Sequence, residues 1–84
     1  NKGECDKAIE YYEKALAISK TFDPEHPVVG IIYYQIGSVH TDRGDKTKAL
    51  AYLMKAKAIF VKKLGPEHPQ TKTVQEWIDG ISKE

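Results

Sequence analysis

The chain has 84 residues and a formal net charge of +1, from 13 Lys plus Arg against 12 Asp plus Glu. Domains run to about 100–200 residues, so one small domain is the upper limit, and the even charge excludes general attraction to polyanions as its main property. With 40% apolar and 30% charged residues it is a globular chain, and its single cysteine excludes an internal disulfide or a multi-thiolate metal site.

Four helices are expected, in chain order. In the first, Ala8, Tyr12, Ala15 and Phe22 fall on one face, with Ile9, Tyr11 and Leu16 beside them. Gly3 precedes that helix and Asp23-Pro24 ends it, because the residue before proline is pushed out of helical geometry. The second, from about His26 to Asp42, carries a stripe of Val29, Ile32, Tyr33, Ile36 and His40. Arg43-Gly44-Asp45 is a turn in which Asp45 caps the third helix. That helix aligns Ala49, Leu53, Ala56 and Phe60, and Leu64-Gly65-Pro66 stops it. The fourth, about Glu67 to Ser82, carries Val74, Trp77, Ile78 and Ile81. Nothing alternates with period two, so the class is all-α. Short turns make neighbouring helices antiparallel. Gly37 within the second helix costs about 1 kcal/mol against Ala, which makes sense if a neighbouring backbone approaches there beside Ala49 and Ala56.

The chain also repeats itself. Gly3, Lys7, Ala8, Tyr11, Lys14, Ala15, Ala17 and Ile18 recur 41 residues later as Gly44, Lys48, Ala49, Tyr52, Lys55, Ala56, Ala58 and Ile59. Pro24-Glu25-His26-Pro27 recurs 42 residues later as Pro66-Glu67-His68-Pro69. The middle unit reads Tyr33-x2-Ile36-Gly37-x2-His40, then Ala49-x3-Leu53-x2-Ala56, then Pro66. That series resembles the tetratricopeptide repeat, and its long period and Gly-Pro-Glu-His-Pro linker resemble the kinesin-light-chain variety. The resemblance implies antiparallel hairpins stacked as a right-handed α-solenoid fragment. Residues 1–23 would be the closing helix of a truncated repeat, 24–65 one full helix-turn-helix, and 66–84 a C-terminal capping helix. Gln75 and Asp79 stand in that last helix where the pattern has a large residue and glycine. A start at Asn1 without methionine reads as a piece of a longer protein.

Tetratricopeptide arrays are scaffolds that bind peptides or proteins in a groove lined by the first helix of each repeat. Here Ile31, Tyr34, Ser38 and Thr41 lie opposite the core stripe of the second helix, and Thr73 and Glu76 occupy matching positions on the fourth, with Gly80 and Lys83 beyond. Tyr34 either anchors a partner, as a large rigid aromatic, or packs on a neighbouring helix. The ligand class stays open. A second reading is self-association: the first helix lacks its partner helix and leaves Tyr11, Tyr12 and Leu16 partly uncovered for a homodimer.

Sharper chemistry finds little support. No nucleophile elbow, phosphate-cradling glycine loop or His-Glu-x-x-His helix is present, so neither catalysis nor a cofactor is expected. His26 and His68 belong to the repeated linker and have no second ligand three or four residues away, so no metal is expected. His40 is expected as a hydrogen-bonded interior histidine, and acid-flanked Cys5 as a passive thiol. Six lysines and no acid lie between 46 and 63; nucleic-acid contact by this segment is the weakest reading, since no arginine is there to grip phosphate. Lys57 stands where the first unit has Leu16, and snorkelling is preferred to pairing with Glu76 or Asp79, because an exposed pair adds under about 1 kcal/mol. The longest charge-free run, residues 27–41, is too short and too polar to span a bilayer. One unpaired thiol and no targeting signal point to the cytoplasm.

Overall fold

The computed structural model describes residues 2–83, which form α1 (Lys2–Phe22), α2 (Pro27–Asp42), α3 (Lys46–Leu64) and α4 (Pro69–Lys83). The described residues contain no strand. The principal extents of 34 × 33 × 17 Å are those of a slab two helices thick, each helix about 10 Å across. α2 packs on α1 and on α3, and α4 packs on α3.

The helix ends inside the chain have chemical stops. α1 includes Gly3, placed just outside it by the sequence, and carries Glu4 in its first turn, where a carboxylate favours the helix dipole. At its other end, Asp23 accepts the Glu25 N–H at 3.1 Å and Pro24 prevents continuation. His26 caps α2, its Nδ1 accepting the Val28 N–H at 3.1 Å, with Pro27 at the first helical position. His68 repeats the device for α4 by accepting the Gln70 N–H at 3.1 Å. The Pro-Glu-His-Pro motif is thus a helix-capping unit, and α4 begins at Pro69 rather than near Glu67 because His68 is the cap. Asp45 caps α3 as expected, accepting the Lys48 N–H at 3.2 Å. Gly44 and Gly65 adopt φ of 81° and 94°, which side-chain-bearing residues avoid, and so turn the chain after α2 and α3.

The core is centred on the α2–α3 seam. Ala49, Leu53, Ala56 and Phe60 are fully buried along α3, opposite Val29, Tyr33 and Ile36 of α2. Two glycines of α2 make this possible. A Cβ on Gly37 would lie 2.8 Å from Leu53 Cγ and 3.2 Å from the Ala49 carbonyl oxygen, and one on Gly30 would lie 2.8 Å from Phe60 Cε1. Leu53 and Phe60, seven residues apart, therefore seat against glycines seven apart on an antiparallel partner. Burying each large side chain stabilises by about 1.5–3 kcal/mol, more than the roughly 1 kcal/mol that each helical glycine costs.

α4 adds Val74, Ile81 and Thr71, whose Oγ1 donates to the Gly65 carbonyl at 2.8 Å. α1 contributes less. Ile9 is its buried residue and Leu16 packs against the core edge, whereas Phe22, expected on the core face, is 85% exposed. Ala8, Tyr12 and Ala15 of the same expected stripe are half-buried, and Phe22 lies beyond them in the last turn of α1. His40 is buried at 5% exposure, but its Nδ1 has no hydrogen-bond partner among the described residues. The expected hydrogen-bonded histidine is instead held by stacking on Tyr52, with ring centroids 5.5 Å apart and planes 10° from parallel.

Two tests follow from this packing. Gly37→Ala gains about 1 kcal/mol of helix propensity but overpacks Leu53 at a typical cost of 1–3 kcal/mol, so denaturant unfolding should show a net loss of about 1 kcal/mol. Gly80, whose added Cβ meets nothing within 4 Å, is the control: Gly80→Ala should stabilise. A stabilising Gly37→Ala would contradict the seam. Burial lowers the His40 pKa; Asp45 opposes this, Lys48 and Arg43 reinforce it, and Glu13 opposes it. The unfolded chain then takes up a proton at higher pH than the folded one, so this contribution is present above the ordinary imidazole pKa and is lost as pH falls below it. Unfolding between about pH 8 and pH 5 should show that loss, and His40→Phe should make the profile flatter; identical slopes would refute the assignment.

Candidate functional site

The face shared by α2 and α4 brings together two of the six expected groove residues, Thr41 and Glu76. Thr41, Glu76, Trp77, Gly80 and Ile81 line a shallow depression of about 370 Å³. Thr41 and Glu76 are thus brought together, while Ser38 lies half-buried and Thr73 exposed outside the depression. Thr41 also donates its hydroxyl to the Gly37 carbonyl at 2.9 Å, which fixes its rotamer. Ile31 and Tyr34 pack against the core while remaining half-buried.

Tyr34 meets Trp77 edge to face, with ring centroids 5.8 Å apart and planes at 85°. It therefore packs on a neighbouring helix and keeps part of its surface open. Trp77, expected in the core stripe of α4, is half-buried and forms a wall of the depression. A signal for this was available: Thr73, Trp77 and Gly80 share a helix line at four- and three-residue spacing. Gly80 contributes open space, since nothing lies within 4 Å of a Cβ built there.

The face expected for self-association divides. Leu16 packs on the core, Tyr12 is half-buried, and Tyr11 is 69% exposed with its ring 5.8 Å from that of Tyr12. Ile18 and Phe22, outside the expected set, extend the open apolar surface.

A third region separates α1 from α3. A cavity of about 600 Å³ has Asp6, Glu10 and Glu13 on its α1 wall, facing Arg43, just after α2, and Lys48 and Lys55 of α3. Arg43 and Asp6 close to 3.0 Å across it, an exposed pair worth under about 1 kcal/mol. The lysines of α3 do not form one stripe. Lys55 lies over the Tyr33 and Tyr52 rings at 5.6 and 5.5 Å, Lys62 pairs with Glu25 in the α1–α2 linker, and Lys57 is half-buried. The Lys62 pair holds the Glu25 carboxyl below its ordinary pKa, first by the hydrogen bond and then by charge. Lys57 has no ion pair with Glu76, Asp79 or any other described residue, in keeping with snorkelling. No group of three or more His, Cys, Asp or Glu poised to hold a metal occurs among the described residues. None of the described helices is long and apolar enough to cross a membrane.

Comparison with known proteins agrees with this architecture. The chain is 31% identical over 77 residues to the clustered mitochondria protein homolog of Candida albicans; the alignment covers 90% of this chain and 6% of that relative. No solved structure matches. A family model for the tetratricopeptide repeat matches residues 1–60, from α1 through most of α3. With most of its length matched and the hairpin geometry in place, the chain belongs to the tetratricopeptide repeat family.

Proposed function

We propose that the chain is a non-catalytic interaction module that takes a peptide segment of a partner protein across the α2–α4 face. Membership of the tetratricopeptide repeat family suggests a protein–protein interaction role. The observation that carries the choice of face is the depression lined by Thr41, Glu76 and Trp77, with Tyr34 set edge-on to the indole. Half-buried aromatics suit a peptide-binding surface, because they add contact area at little entropic cost and their neighbours already hold them in place. The 41- to 42-residue period supports the long-period, kinesin-light-chain-like variety as our assignment within the family. The division into a closing helix, one full hairpin and a capping α4 belongs to the same proposal.

A second reading, self-association through α1, is favoured by the exposure of Tyr11, Ile18 and Phe22. A sedimentation coefficient that stays constant with concentration would dispose of it.

Peptides selected from a random display library against the chain test the first reading. They should shift Trp77 emission, and Tyr34→Ala should weaken their binding about 10-fold or more, as expected for truncation of an aromatic hot spot worth about 2 kcal/mol. Helical content should be unchanged. Selected peptides that bind wild type and Tyr34→Ala equally, with no change in Trp77 emission, would overturn the face assignment.

A further inference from the structure

The side-chain oxygens that line the α2–α4 depression can only accept hydrogen bonds. Thr41 spends its hydroxyl proton on the Gly37 carbonyl at 2.9 Å, so its Oγ1 has only lone pairs left. Glu76 adds a carboxylate that is exposed and in no ion pair with any described residue. The acids nearest to it on α4 are engaged elsewhere: Glu67 pairs with Lys72 at 3.3 Å, and Asp79 accepts from Gln75 Nε2 at 2.7 Å. Lysine, arginine and histidine are all missing from the lining. The α1–α3 cavity, by contrast, has Arg43, Lys48 and Lys55, and the cleft between α3 and α4 has Lys57 and Lys62. Lys83 stands seven residues along α4 from Glu76 and does not line the depression. Its offset of about 10 Å along the helix is roughly a Debye length, so it does not neutralise the carboxylate.

The repeat distinguishes this surface from a seat for another helix. At the 42-residue offset, Gln75 and Ile78 match Tyr33 and Ile36, on the buried face of α2 that α3 covers. Neither Gln75 nor Ile78 lines the depression, whose walls come from α2 and α4. Glu76 and Gly80 instead match Tyr34 and Ser38. The later unit thus sets a carboxylate where the earlier one has a phenol ring. It also leaves open space, since nothing lies within 4 Å of a Cβ built on Gly80.

We propose, on the reading of this face as a peptide-binding surface, that the partner segment inserts an arginine side chain into the depression. Its guanidinium forks onto the Glu76 carboxylate, lies against the Trp77 ring and donates a further N–H to Thr41 Oγ1. Lysine is the second choice, because an ammonium reaches the carboxylate but neither forks nor lies flat on a ring. An acidic side chain at this position meets like charge and is rejected.

The test takes peptides selected from a random display library against the 84-residue chain and keeps those that shift Trp77 emission. These should share a basic residue, arginine more often than lysine, and bind more weakly as salt rises. Exchanging that residue for glutamine should weaken binding at least about 10-fold, and so should Glu76→Lys, as expected for loss of a partly desolvated charge contact. Peptides with glutamate in its place should regain affinity for Glu76→Lys, a coupling that a purely structural role of Glu76 would not produce. Gly80→Leu, which fills the depression with a good helix former, should weaken the arginine peptides and leave helical content unchanged. Trp77-shifting peptides that lack a basic residue, or that bind wild type and Glu76→Lys equally, would overturn the arginine contact and leave the peptide-binding face standing. Selected peptides that bind without moving Trp77 would remove the face assignment, and this contact with it.

Discussion

The seating of Leu53 and Phe60 against Gly37 and Gly30 is the constraint on which the other packing depends. An α-helix with ordinary side chains at both positions would hold α3 away from α2 by the width of a methyl group or more. Close approach buries Ala49 and Ala56 completely and puts the Tyr52 ring beside those of Tyr33 and His40. It also leaves the remaining flank of α3 available for Val74 and Ile81 of α4. α1 joins the assembly through Ile9 and Leu16 and buries fewer side chains than α4, which buries Thr71, Val74 and Ile81.

The connections hold this seam in register with few residues. Gly44 and Gly65 use left-handed φ values to end α2 and α3, and Asp45, His26 and His68 satisfy the N–H groups of the helices that follow. The use of histidine as the cap explains why Pro-Glu-His-Pro recurs intact while the helices around it diverge. Its imidazole accepts a backbone hydrogen bond and the following proline is already shaped for the first helical turn. Thr71 links the start of α4 to the Gly65 carbonyl, so the same turn positions both helices beside the α2–α4 depression.

Much of the fold was legible in the sequence because repeat spacing and helix periodicity agree. Gly37 was readable as a close-approach site because it interrupts an apolar stripe; Gly30 was not, since a glycine near a helix start resembles a turn signal. Phe22 was misplaced for another reason. Periodicity identifies an apolar face but not how far along the helix a neighbour covers it: Ala8, Tyr12 and Ala15 are half-buried, whereas Phe22 in the last turn is exposed. His40 shows the limit of the hydrogen-bond rule, as stacking on Tyr52 holds its ring while Nδ1 goes without a partner among the described residues. For the site, spacing on single helices brought out Thr41 and Glu76. It could not show that Trp77, which packs against the core, also meets the Tyr34 ring edge to face and walls the depression.

Direct contact between the glycine backbone of α2 and the side chains of α3 is the central claim, and a proton–proton distance measures it most directly. Nuclear Overhauser spectra should show strong cross-peaks from the Gly37 α-protons to the Leu53 methyls, and from the Gly30 α-protons to the Phe60 ring. Weak or absent peaks at both pairs, with the helices still formed, would mean that α3 packs on α2 in another register and would contradict that claim.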